Sequence, residues 1–130
     1  MKLTKTEFGL IIILISISFI GFMVKLPAVF RHHDRELHFL FYLLTALFLY
    51  MNFGKNKLIN HVIIFILLLI FGIGIEAMQE LSNQILNKKI HGNFDPLDVL
   101  FNVFGLFVAT LFWAVSYIVK MILDKQKNTK

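Results

Sequence analysis

Glu76 ends an unbroken apolar run and is followed by Gln79 and Glu80, three and four residues on. His38 and Tyr42 stand four apart, and so do Asp98 and Asn102. At helical spacing each pair or trio shares one helix face. Ionisable groups inside apolar runs are costly, by about 2.5–3.5 kcal/mol each at the centre of a membrane helix, so they turn inward and find partners. Three chemistries suit such a set. Glu76 and His38, helped by Asp98, can work as an acid–base pair, because burial and neighbouring charge tune a carboxylate and an imidazole for proton transfer. His38, Glu76 and Asp98 can instead hold a divalent cation, the one cofactor these residues suggest. The same groups can also form a hydrogen-bonded knot that holds helices together. A catalytic set of Glu76, His38 and Asp98 is expected to be ringed by Tyr42, Gln79, Asn102 and Arg35 as ligand-binding side chains.

These residues must be positioned by membrane helices. Of the 130 residues, 58% are hydrophobic and 16% charged, against roughly 45–50% and 25% in soluble domains. A membrane helix needs about 20 mostly apolar residues, and four stretches qualify, at about 8–25, 36–53, 58–81 and 96–120. They fill a single domain over residues 1–130 and predict an all-α integral membrane protein, an antiparallel bundle of four transmembrane helices. Gly54, Lys55, Asn56 and Lys57 predict a tight turn between the second and third. The uncharged run Phe8–Val24 is longer than a secretory signal core, and Leu26-Pro27-Ala28 is a poor cleavage site, so the first segment is expected to stay as a helix. Continuous rather than alternating apolar runs argue against β-barrel spans. With no cysteine, thiol catalysis, thiolate metal sites and disulfides are excluded. The net charge of +5 comes from Lys and Arg in short loops and tails, which suits anionic lipid head groups. No basic face with interleaved aromatics lies outside the spans, so nucleic acid is not an expected partner; membrane lipids are.

Simpler readings account for part of the polar set. Asp95 before Pro96 reads as a helix start, with Asp98 beside the positive end of the helix dipole. Asp34, Glu36 and Glu80 read as solvated helix-end residues, and His32 and His33 as solvated beside Arg31. Capping does not explain Asn102 or His38, each one turn inside its span. His61 reads as interfacial, and Trp113 and Tyr117 as interfacial anchors. Gly72, Gly74 and Gly105 read as points of close helix approach. No phosphate loop, zinc motif or nucleophile elbow is present.

The polar residues also fall into three ordered motifs. Asp34-Arg35-Glu36-Leu37-His38 with Tyr42 resembles the D-K-x-x-H-x-x-x-Y opening of VanZ-like membrane proteins. Gly74-Ile75-Glu76-Ala77-Met78-Gln79 resembles the G-x-x-E-x-x-Q of that family, and Asp98, Asn102 and Gly105 match its D-x-x-x-N-x-x-G. The resemblance spans Asp34 to Gly105. It implies a four-helix membrane protein of a bacterial cytoplasmic (inner) membrane, related to an accessory protein of glycopeptide-resistance clusters that is associated with teicoplanin resistance. It implies no reaction. An Arg that the family carries shortly before the Asp of its last motif has no counterpart in His91–Asp98; Lys88, Lys89 or His91 would have to replace it, and a Lys does not reproduce bidentate guanidinium geometry.

Two functional readings follow. In the first, an envelope lipid or anionic precursor is bound, or bound and turned over, at a polar cluster on the outer face. In the second, the cluster sets the packing of a noncatalytic bundle that has a structural or partner-binding role. A small transporter would need a pathway and a repeat that four helices do not offer.

Topology follows from Lys and Arg. Lys2, Lys5, Lys55, Lys57, Lys120, Lys125, Lys127 and Lys130 fall on one side of a four-span chain, eight in all, and Lys25, Arg31, Arg35, Lys88 and Lys89, five, on the other. Both termini are therefore expected in the cytoplasm. In cysteine labelling of intact cells, Lys89→Cys should react with an impermeant reagent and Lys57→Cys should be protected; the reverse pattern would move the polar cluster to the cytoplasmic face.

Overall fold

A computed structural model describes residues 4–23, 33–54, 57–87 and 94–127. They form four helices, α1 (Lys5–Met23), α2 (Asp34–Phe53), α3 (Leu58–Leu86) and α4 (Pro96–Lys127). All four are long and apolar enough to cross a membrane. The shortest, 19 residues, reaches about 28 Å at about 1.5 Å per residue, close to a hydrocarbon core of about 30 Å. Lys2, Lys25, Arg31, His32, Lys55, Asn56, Lys88, Lys89, His91, Lys130 and the Leu26-Pro27-Ala28 segment lie outside the described residues.

The helices overrun their apolar segments, because backbone hydrogen bonding continues where hydropathy stops. α1 begins at Lys5 rather than residue 8, set by a capping box. The Glu7 N–H donates to Thr4 Oγ1 (3.2 Å), and the Thr4 N–H donates back to Glu7 Oε2 (2.8 Å). α3 runs five residues past the expected 81 and stops at Asn87, whose φ of 47° is left-handed. α4 continues seven residues past 120 as an exposed stretch with Lys125 and Lys127 in its last turn, where cations suit the dipole. Its start is the expected one: the Leu97 N–H donates to the Asp95 side chain (2.8 Å) next to Pro96. The turn after α2 closes through Lys57 N–H to the Gly54 carbonyl (3.0 Å). Asn60 donates from the first turn of α3 to the carbonyls of Phe53 and Gly54 (3.2 and 3.1 Å), taking up acceptors that the end of α2 leaves free.

One face of each of three helices builds the interior. On α2 it is His38, Tyr42, Thr45, Ala46, Tyr50 and Phe53, on α3 His61, Leu68, Gly72, Ile75 and Glu76, and on α4 Asp98, Asn102, Gly105, Leu106 and Ala109. Large apolar side chains such as Leu67, Ile70, Phe107 and Phe112 point outward. Polar groups inside and apolar groups outside is the arrangement hydrocarbon favours, since lipid cannot hydrogen-bond. The contacts pair Tyr50 with His61, Tyr42 with Gly72 and His38 with Glu76, and, between α2 and α4, His38 with Asn102 and Tyr50 with Thr110. α1 joins loosely. Ser18 is its one buried residue among those described, and its hydroxyl donates to its own helix at the Leu14 carbonyl.

α2 and α4 meet backbone to backbone at Gly105. A Cβ there would run into the Phe39 carbonyl oxygen and lie 2.9 Å from the Leu43 nitrogen, both main-chain atoms of the neighbouring helix. Gly72 is similarly close-packed, whereas Gly74, also expected at a close approach, has nothing within 4 Å. The 3.6-residue period turns Gly74 away from the face that carries Gly72 and Glu76.

Gly105→Ala should therefore lower stability by about 1–3 kcal/mol or more, the usual cost of overpacking. Gly74→Ala should leave it unchanged or raise it, since Ala is favoured over Gly in helices by about 1 kcal/mol. Thermal unfolding of the two variants in detergent reads the difference; equal melting temperatures would contradict the close α2–α4 approach.

Candidate functional site

Glu76, His38 and Asn102 come together where the last third of α3 meets the starts of α2 and α4. All three are shielded from solvent, with Tyr42 beside them. His38 Nδ1 and Asn102 Oδ1 are 2.9 Å apart. With the carboxamide oxygen as acceptor, Nδ1–H is the donor, and the lone pair of a neutral ring sits on Nε2. That nitrogen faces Glu76 Oε1 at 3.7 Å, a separation beyond a hydrogen bond. The other carboxylate oxygen of Glu76 accepts the Asp95 N–H (3.3 Å) at the start of α4. One turn on, Glu80 Oε2 accepts the Phe94 N–H (3.2 Å). The spacing of four between Glu76 and Glu80 thus serves to hold the chain as it enters α4, and Glu80 is engaged rather than simply solvated.

Three buried polar atoms here have no hydrogen-bond partner among the described residues: Glu76 Oε1, Tyr42 Oη and Asn102 Nδ2. The last two converge on Gly72, where a Cβ would meet Asn102 Nδ2 at 2.9 Å and Tyr42 Oη at 3.0 Å. The absent Cβ of Gly72 thereby leaves room for both groups on the same spot of α3. A polar atom buried without a partner costs about 1–3 kcal/mol.

An acidic rim borders this core. Arg35 Nη2 lies 3.4 Å from Asp95 Oδ2, and Arg35 Nε 4.0 Å from Asp98 Oδ1, with about half of the Arg side chain exposed. The guanidinium beside the last motif therefore comes from α2. The residues expected to replace it, Lys88, Lys89 and His91, lie outside the described set. Asp34, read as solvated from sequence, joins His38 and Asp98: each offers a ligand atom, and all three lie within 4.8 Å of one another. The spacing of four between Asp34 and His38 was the available signal. Glu76, expected in the same metal set, is not one of these three; it borders them, with Oε1 3.7 Å from His38 Nε2. Glu36 stays exposed, 4.0 Å from the exposed His33.

Gln79 is occupied elsewhere. Its amide donates to the Phe22 carbonyl (2.7 Å), tying the end of α1 to α3. The Phe22 ring then lies on His38 (4.5 Å between centroids) and edge-on to Phe41. Phe41 lines an apolar cavity of about 620 Å³ between α1, α2 and α3. At the opposite end of the helices His61 is buried rather than interfacial. Its Nδ1–H donates to the Lys57 carbonyl (2.9 Å), and the ring stacks on Trp113 at 3.8 Å, near Tyr50 and against Gly54. Trp113 thus turns inward onto His61 as well as stacking on Tyr117.

No family model, curated protein or solved structure matches the chain.

A Gln at position 76 can still accept the Asp95 N–H through its carbonyl oxygen and offer an amide N–H to His38 Nε2. Glu76→Gln should therefore melt close to the wild type, whereas Glu76→Ala, which strands the Asp95 N–H and the His38 ring, should lose about 1–3 kcal/mol. Equal losses in both variants would show that the carboxylate charge itself holds the helices together.

Proposed function

We propose that the chain is a VanZ-like protein of a bacterial cytoplasmic membrane. It forms an antiparallel bundle of four transmembrane helices with both termini cytoplasmic, and its polar end binds the anionic head group of an envelope lipid or lipid-linked precursor at the outer face. The reading is carried by the buried atoms that lack partners, Glu76 Oε1, Tyr42 Oη and Asn102 Nδ2. A packing knot is stable when its members pair with one another, and a partly satisfied network is worse than an apolar core. The Tyr42 hydroxyl and the Asn102 amide are two donors aimed at one place beside Gly72, the complement of a phosphate or carboxylate oxygen. Arg35 adds a partly exposed guanidinium at the rim, suited to a planar or tetrahedral anion. The apolar cavity beside Phe41 fits the hydrocarbon part of an amphipathic molecule.

The motif positions Asp34, His38, Tyr42, Glu76, Asp98, Asn102 and Gly105 support the family resemblance by lying around one junction of three helices. The link to teicoplanin-type resistance comes from that resemblance. Gln79, expected as a ligand contact, gives its amide nitrogen to the Phe22 carbonyl and so holds α1. The competing reading, a noncatalytic bundle, is favoured by that bond and by the His38–Asn102 pair, both of which join helices.

Tyr42→Phe and Glu76→Gln separate the two readings, because each keeps shape and removes one group. Head-group binding predicts normal abundance, altered sensitivity to a lipoglycopeptide, and at least a tenfold drop in copurifying envelope lipid by mass spectrometry, equivalent to about 1.4 kcal/mol. If every loss of sensitivity phenotype follows loss of folded protein, and lipid recovery does not change, the cluster is packing alone.

A further inference from the structure

The rim is more acidic than an anion site should be. Among the described residues, Asp34, Glu76, Asp95 and Asp98 gather at this junction with Arg35 as the one permanent cation among them. Arg35 lies closest to Asp95. Carboxylates sharing a poorly hydrated place repel one another and any incoming anion.

We propose that a divalent cation of the Mn²⁺ or Zn²⁺ type sits between Asp34, His38 and Asp98, with Glu76 closing the set from α3, and that the anionic head group reaches the protein through this cation. The inference rests on reading the polar end as a head-group site and names what lets an acidic end hold an anion.

Three independent observations point to it. Asp34, His38 and Asp98 each present a ligand atom within 4.8 Å of the others, two of them on α2 and the third on α4. His38 is held as metal-bound histidines are: Nδ1–H donates to the Asn102 carboxamide at 2.9 Å, fixing the ring and leaving Nε2 as the ligating nitrogen. Glu76 Oε1, buried and without a hydrogen-bond partner among the described residues, faces that nitrogen at 3.7 Å. Two ligands at about 2.1 Å from a tetrahedral ion stand about 3.4 Å apart, so a contraction of a few tenths of an ångström would bring Nε2 and Oε1 onto one ion. One imidazole among carboxylate oxygens suits Mn²⁺ or Zn²⁺ better than a thiolate-seeking metal, and the remaining positions are open to phosphate or carboxylate oxygens.

The test uses the full chain in uncharged detergent, stripped with a chelator and titrated with MnCl₂ while electron paramagnetic resonance reads free Mn²⁺. One saturable Mn²⁺ per chain is expected, displaced by ZnCl₂. Asp34→Asn should weaken it at least tenfold at an unchanged melting temperature, since Asp34 is the least buried of the three ligands. Asp98→Asn should do the same, and Mn²⁺ should raise the melting temperature of the wild type alone. Equal Mn²⁺ binding by wild type and Asp34→Asn, or none by folded wild type, overturns the cation site. Lipid recovery from chelated and Mn²⁺-loaded protein separates the two ideas. Equal recovery from both overturns the cation bridge and leaves head-group binding standing. Saturable Mn²⁺ binding with no envelope lipid recovered from either removes the bridging role and the head-group reading, and supports the cation site alone.

Discussion

The contact on which the rest of the structure depends is the buried junction at His38. One nitrogen of its ring meets Asn102 on α4, and the other faces Glu76 on α3. Hydrocarbon offers such groups no hydrogen bonds, so each polar side chain on these helices is stable only if it turns toward another helix. That requirement sets how α2, α3 and α4 are rotated. With His38, Glu76 and Asn102 inward, Tyr42, Ile75, Leu106 and Ala109 follow them inside and the large aliphatic residues face out.

Close packing makes the junction possible. Polar contacts need short distances, and bulky side chains would hold the helices apart. Gly105 brings α4 against the backbone of α2 at Phe39 and Leu43, within reach of the His38–Asn102 bond one turn away. Gly72 does something different. It brings α3 against Tyr42 Oη and Asn102 Nδ2, two buried groups without a hydrogen-bond partner among the described residues. Packing therefore accounts for much of the junction but not for its unpaired atoms.

The two ends of the helices differ in kind. At one, carboxylates and the Arg35 guanidinium rim a buried imidazole. At the other, His61 is enclosed by Tyr50, Trp113 and Gly54 and bonded to the carbonyl of Lys57, an arrangement of rings rather than charges. α1 reaches the first of these ends through Phe22, which Gln79 holds and whose ring lies on His38, and it leaves an apolar cavity against α2 and α3.

Much of this was legible in the residues. Four apolar runs of membrane length gave four helices, because span length is set by bilayer thickness and not by neighbours. The spacings of four at His38–Tyr42 and Asp98–Asn102, and of three and four at Glu76–Gln79–Glu80, placed each group on one face, because that follows from 3.6 residues per turn. Helix ends at Thr4–Glu7 and Asp95–Pro96 were equally local, although hydropathy alone set the first too late. Only the tertiary structure decided which faces met. It gave Gln79 to Phe22, put Arg35 of α2 beside Asp95 and Asp98, drew Asp34 to His38 and Asp98, buried His61, and separated Gly72 from Gly74 in role. Periodicity states which residues share a face, whereas the partner opposite that face depends on how neighbouring helices rotate and how closely their backbones approach, and no single helix carries that information.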